Sequence, residues 1–193
     1  SDNTFLGYSA GGATTEGSTN VAIGDRSMNS ATKSDNNVAI GYATLYTLNT
    51  TTSTDTYNTA VGNQAGFAIT TGIHNTIVGA LAGDALTDAD HNVAIGVSAL
   101  GADTLGSKSV AIGEGTLQFQ NFATATDSFN VAVGYEAAND ITTAVQNVCV
   151  GGNAGAKITT GNYNVCLGNT AGNHGSPITD GTRNIMIVAY AHT

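Results

Sequence analysis

The residues that could carry chemistry are few. His74 and His91 stand 17 positions apart. Two imidazoles brought together would suit a metal or a pH-sensing site, and two solvated turn histidines are the plainer reading. Asp84, Asp88 and Asp90 offer oxygen ligands of the kind Ca²⁺ takes, but their string lacks a recognised calcium-loop spacing and also reads as an acidic turn. Glycan hydrolysis needs two carboxylates facing each other across a cleft, and Glu16, Glu114 and Glu136 are scattered. Gly151-Gly152-Asn153-Ala154-Gly155 is glycine-rich but lacks the properly placed basic residue and helix of a phosphate loop. Cys149 and Cys166 are again 17 apart. A disulfide between them is within reach, although side chains stacked in parallel suit its geometry poorly; small buried residues are the simpler reading. No catalytic residue, metal site or cofactor is expected, and the chain does not read as an enzyme.

The interval of 17 recurs because the whole chain repeats. Asn20-Val21-Ala22-Ile23-Gly24 returns as Asn37-Val38-Ala39-Ile40-Gly41 and Asn92-Val93-Ala94-Ile95-Gly96. Looser copies begin at Asn3, Asn58, Asn75, Ser109, Asn130, Asn147 and Asn164, and an eleventh at Asn184 has Val188 where the glycine would be. Successive first positions differ by 17, 17, 21, 17, 17, 17, 21, 17, 17 and 20. A fixed period of this size is the signature of a repeat architecture. It runs from Asn3 onward, so residues 1–193 read as one continuous array. The chain starts at Ser1, in phase with the repeat, and reads as a mature product or a piece of something longer.

Bulk composition narrows the partners. The formal charge is −9 with only five Lys and Arg, which argues against nucleic acid and against an anionic membrane surface, because phosphate binding needs a basic footprint. Charged residues make up 10%, too few for a disordered chain. No apolar run approaches the roughly 20 residues of a membrane span.

Each copy alternates with period two. Val21 and Ile23 share one face and Ala22 takes the other, the pattern of a short strand. The glycine permits a tight bend. Three residues later comes a small side chain in every copy from Ala10 to Ala171, implying an interior position with little room. Turn-rich stretches such as Ile69-Thr70-Thr71-Gly72 follow. The fold expected is all-β: a parallel β-solenoid, or β-roll, of about eleven coils. At about 4.8 Å per coil it makes a rod of roughly 50 Å. In-register stacking would place Asn20, Asn37, Asn58, Asn75, Asn92, Asn130, Asn147 and Asn164 in a ladder of amides, with Ser109 as its gap. Thr15, Thr32, Thr70, Thr87, Thr104, Thr142 and Thr159 form a second column, interrupted at Asn49 and Asn121.

What breaks the period is informative. Thr54-Asp55-Thr56-Tyr57-Asn58 matches Thr126-Asp127-Ser128-Phe129-Asn130 at an offset of 72, a four-coil super-repeat. Insertions of this kind often mark an interaction face. The candidate recognition surface is therefore the long coils, with Tyr57, Phe119, Phe122, Phe129, His174 and Arg183 as its residues. Few large apolar side chains fall in each coil; in the second they are Val21, Ile23 and Met28, all expected inside. Sharing apolar faces between chains is the natural remedy.

The Asn-Val-Ala-Ile-Gly copies and Ser109-Val110-Ala111-Ile112-Gly113 resemble the head repeats of trimeric autotransporter adhesins. Asn58-Thr59-Ala60-Val61-Gly62-Asn63-Gln64-Ala65-Gly66 with Thr70-Thr71-Gly72 is similar to repeats of phage tail fibres. The resemblance covers essentially the whole chain. It implies a parallel β-roll in a homotrimer, in a virion tail fibre or at a cell surface, serving as a stiff spacer and as a surface for a glycan or protein receptor. The repeat is longer than that of the adhesin heads, and no chaperone domain of the kind often found after such fibre repeats is present in this sequence. An ice-binding solenoid that uses the threonine column is the alternative.

Overall fold

The computed structural model describes residues 2–173 and 178–188. Every copy of the repeat becomes a three-residue strand, favoured by β-branched residues at its first and third positions. The eleven are β1 (Thr4–Leu6), β2 (Val21–Ile23), β4 (Val38–Ile40), β6 (Thr59–Val61), β7 (Thr76–Val78), β8 (Val93–Ile95), β10 (Val110–Ile112), β12 (Val131–Val133), β13 (Val148–Val150), β14 (Val165–Leu167) and β15 (Ile185–Ile187). They form one sheet in chain order, parallel throughout. The register pairs like with like: Val21 faces Val38, Ala22 faces Ala39, Ile23 faces Ile40. Parallel strands need a crossover of a dozen or more residues, and a 17-residue coil less its three-residue strand leaves 14. The chain is an all-β parallel solenoid of about eleven coils.

The interior differs from the sequence expectation. Ala22 and Met28 are fully buried, whereas Val21 and Ile23 are half-exposed. The middle residue of each strand points inward, and the flanking aliphatics point out. The turn behind the strand comes back so close that the inner column takes mostly alanine: Ala39, Ala60, Ala94, Ala111 and Ala132 are all buried. In several coils bulk is instead traded between two positions of that turn, although Leu45 and Leu48 are both large and both buried. Gly66 is followed three residues on by buried Ile69, Gly83 by Leu86 and Gly155 by Ile158, whereas Met28 is followed by Ala31. A Cβ added at Gly66 would meet Leu45, Ile69 and Ile77 side chains at 3.0–3.2 Å. Cys149 and Cys166 pair across β13 and β14 in the alanine column, as buried free thiols. Hydrogen bonding between them, together with burial, pushes the Cys149 thiol up.

Asparagine locks the coils together, though not purely amide to amide. The backbone N–H of Asn37 donates to Asn20 Oδ1 at 2.9 Å, and its Nδ2 donates to the same oxygen at 3.0 Å. Above it, Asn58 donates its backbone N–H to Asn37 Oδ1 (3.0 Å) and turns its Nδ2 to the Gly72 carbonyl (2.8 Å). Asn20, Asn58, Asn75, Asn92 and Asn130 each reach a carbonyl 14 residues on, just before the next coil's ladder residue, whereas Asn37 and Asn147 turn to Asp35 O and Val145 O of their own coil. Glycine closes the strand for steric reasons: Gly24 has φ +133°, and a Cβ there would sit 2.3 Å from the Gly41 oxygen.

Left-handed backbone at non-glycine residues is the feature that the sequence concealed. The residue before each Asn has positive φ, including Tyr57 (50°), His74 (59°), Lys108 (62°) and Tyr163 (60°). Such a conformation costs on the order of 1–2 kcal/mol. Inter-coil hydrogen bonds hold it, such as His74 N–H to Thr56 O at 2.8 Å and Lys108 N–H to Asp90 O at 3.0 Å.

The super-repeat is real. β3 (Ser34–Asp35) pairs with β5 (Thr54–Asp55), and β9 (Gly106–Ser107) with β11 (Thr126–Asp127); Ser34 to Gly106 and Thr54 to Thr126 are both steps of 72. Residues 51–53 and 123–125 stand exposed beside these short pairs. The two long coils differ inside. Where Ser109 interrupts the Asn ladder, Gln120 fills the gap: its Nε2 donates to Ser109 Oγ at 2.9 Å and to Asp103 Oδ2, while its Oε1 accepts from Asn130 Nδ2 at 2.8 Å. Ser109 and Ser128 hydroxyls also bond to each other. Asp103 is buried, accepts the Gly106 N–H at 3.0 Å, and its carboxyl is pushed above the ordinary carboxylate range by desolvation. The residues 72 earlier are Ala31, Asn37 and Leu48.

Two predictions follow from this interior. Asn92→Leu removes the oxygen that accepts the Ser109 N–H and the amide that serves the Gly106 carbonyl; thermal melting should show a loss of about 1–3 kcal/mol, and an unchanged melting temperature would contradict the ladder. For Asp103, a raised folded-state pKa means that the native chain binds more protons than the unfolded one between the two values. Stability should therefore fall as pH rises from the ordinary carboxylate range through the raised value. Asp103→Ala alone removes the acceptor of the buried Gly106 N–H and one acceptor of Gln120 Nε2, and should destabilise. The triple exchange Asp103→Ala, Ser109→Asn, Gln120→Leu copies the other long coil, and its melting temperature should recover and lose that pH slope.

Candidate recognition surface

The position before each Asn points outward and carries the residues with most chemical character. Tyr57, His74 and His91 occupy successive coils, and their rings stack: 5.4 Å and 10° for the first pair, 4.9 Å and 6° for the second. Lys108 follows, its ammonium 5.3 Å from the Phe129 ring, and Arg183 lies over Tyr163 at 5.4 Å. The histidines and the aromatics thus form one column. Stacking is imposed by the coil rise of about 4.8 Å. Carboxylates flank it: Tyr57 donates its hydroxyl to Asp55 at 3.3 Å, and the Asp55 charge, then that hydrogen bond, hold the phenol above its usual range. Lys108 pairs with Asp127.

The residues singled out from sequence separate. Tyr57 (50% exposed), Phe119 (50%) and Phe129 (47%) present their rings to solvent. Phe122 is only 5% exposed and is corrected from surface to core; it packs where Gly106 leaves room, so that a Cβ there would lie 2.8 Å from its ring. Arg183 is exposed, and His174 lies outside the described residues. Asn20, Asn37, Asn58, Asn75, Asn92, Asn130, Asn147 and Asn164 are all buried. Asp84, Asp88 and Asp90 part company: Asp88 accepts from the Thr71 hydroxyl and Asp90 from the Ile73 N–H, while Asp84 lies in a different column. Among the described residues no group of three or more His, Cys, Asp or Glu is placed to hold a metal ion. The threonine column spends its hydroxyls on the next coil, as in Thr70 to Thr87 O (3.2 Å) and Thr87 to Thr104 O (3.0 Å).

A second feature escaped sequence reading. Five residues past each strand glycine runs another outward column: Asn29, Tyr46, Phe67, Asp84, Gly101, Gln118, Asn139. Tyr46 and Phe67 stack at 5.1 Å. Gly101 interrupts the column, leaving a notch of about 210 Å³ lined by Leu81, Asp84, Ser98, Gly101, Ala102, Gln118 and Phe119. Asp84 has no ion pair among the described residues; partial burial pushes its carboxyl up, opposed by a hydrogen bond from its own backbone N–H. Gln118 uses its Oε1 to accept from Asn139 Nδ2 at 3.2 Å.

The outward strand residues form the third surface. Val21, Ile23, Val38, Ile40, Val93, Ile95, Val110, Ile112, Val131, Val133, Val148 and Val150 lie half-exposed or exposed in two parallel aliphatic columns. Eleven strands at about 4.8 Å and three residues at about 3.3 Å give a sheet face of about 500 Å², comparable to the largest apolar patches of folded monomers, which are often functional. Compared with protein-family models, with curated proteins and with solved structures, the chain finds no match.

Proposed function

We propose that this chain is a stiff spacer and recognition segment of a fibre or adhesin, displayed on a virion tail fibre or at a cell surface, and that it works as a homotrimer without catalysing a reaction. The observation that carries the reading is the aliphatic stripe along the outside of the eleven-stranded sheet, continuous in the column of third strand residues and interrupted by Thr4, Thr59 and Thr76 in the column of first residues. A single solenoid leaves that stripe in water. Closed cyclic assembly is the usual way identical chains cover such a face, and the resemblance of the repeats to trimeric adhesin heads and tail fibres sets the number at three. Stiffness comes from the stack, in which each coil rests only on its neighbours. Recognition falls to what leaves the repeat: the exposed loops 51–53 and 123–125 and the half-exposed rings of Tyr57, Phe119 and Phe129. Rigidly held rings bind with little ordering cost, and three copies of each add by avidity. The ice-binding alternative is weakened because the threonine hydroxyls are turned to the next coil.

Light scattering at micromolar concentration should return three times the mass of one chain. Ile95→Glu, which puts a charge in the middle of the stripe, should reduce it to one. A folded wild-type monomer would overturn the assembly. For recognition, a chain lacking residues 51–53 and 123–125 should keep the fold by circular dichroism and bind cells more weakly; undiminished cell binding moves recognition off the loops.

A further inference from the structure

The notch at Gly101 has the composition of a small ligand site, and its origin is sequence-encoded. Coils on either side place Asp84 and Gln118 where Gly101 has no side chain. The gap therefore exposes one face of each neighbour, 17 residues below and 17 above. The polar groups are of opposite kinds and are free to act. The Asp84 carboxylate accepts, and it is partly desolvated without a counter-ion. Gln118 has committed its Oε1 to Asn139, which orients the amide and leaves Nε2 to donate. The Ser98 hydroxyl can do either. Apolar walls complete the site: the Phe119 ring, half-exposed, and Leu81, 38% exposed.

We infer that this notch binds one pyranose unit of a neutral saccharide, its C–H face laid on Phe119 and adjacent hydroxyls shared between Asp84 and Gln118. A vicinal diol donates one proton to a carboxylate and accepts one from an amide, which matches the two flanking groups. An aromatic ring supplies an apolar platform next to them. An anionic sugar is disfavoured by Asp84 and by the net charge of −9. The notch is lined by residues of the turns that follow the strand glycines, whereas the aliphatic stripe is made by the strand residues themselves. The inference rests on the reading of this chain as a recognition segment, and it moves the contact from the long loops to a regular face.

The test uses a printed array of neutral oligosaccharides, followed by saturation-transfer NMR with the free sugars that score. Gly101→Gln restores the missing side chain. Gly101 does not have positive φ, and the nearest contact of a Cβ there is the Ser98 oxygen at 3.2 Å, so the fold should survive with a slight shift. Binding should weaken about tenfold or more, as it should for Phe119→Ala, which keeps the test valid if the glutamine variant fails to fold. Removing residues 51–53 and 123–125 should leave notch binding intact. Saccharide binding that survives Gly101→Gln and Phe119→Ala but vanishes with the loops overturns the notch and leaves the recognition reading standing. No saccharide bound by the wild-type chain overturns the notch and the glycan part of that reading together, while the scattering result still decides the assembly.

Discussion

The hydrogen bond from one coil to the same position of the next is the interaction on which everything else depends. A parallel in-register stack satisfies each backbone group with its own counterpart one period away, as when Val21 N–H meets Asn37 O and Val38 N–H meets Asn58 O. A unit with so few large side chains has little else to hold it. Identical register also forces identical environments, so a residue that suits one coil suits the column. The alanine column, the glycine column and the buried amides are consequences of that constraint rather than separate inventions.

The same constraint explains the tolerated strain. Residues such as His74 and Lys108 adopt left-handed backbone that a β-turn would ordinarily reserve for glycine or asparagine. They do so because the hydrogen bonds above and below fix the peptide planes whatever the side chain. Freed from a conformational requirement, this outward column became a place for Tyr57, His74, His91, Lys108 and Phe129 to vary. Their stacking is inherited from the coil spacing. A surface of regularly spaced rings and charges thus arises at no cost to the interior.

Departures from the repeat are absorbed in two ways. Inside, a missing group is replaced by another that satisfies the same partners: Gln120 reaches into the gap left at Ser109 and bonds Asn130, with Asp103 as its support. Outside, extra residues are expelled as loops while the strand below stays in register, as at residues 51–53. A side chain can also be withdrawn, as at Gly101, and the column then opens into a notch. Each device changes one coil without disturbing its neighbours, which is how a repetitive rod acquires distinct surfaces.

The sequence by itself determined the period, the parallel stack, the strand at each Asn-x-x-x-Gly copy, the offset of 72 and the alignment of the asparagines in one column, because all of these follow from recurrence and residue type. Tertiary structure alone decided which side of the strand faces in. Alternation shows that Val21 and Ile23 lie opposite Ala22, but not that the narrow interior would take the alanine and send the larger pair outward. Nor could spacing reveal that Phe122 fills the space above Gly106 while Phe119 stays exposed, since both are phenylalanines of one long coil. The stacking of Tyr57 on His74 and His91 and the Gly101 notch were hidden for a related reason: their members lie 17 residues apart and differ in type, and they become a surface only when the coils are stacked at a fixed rise.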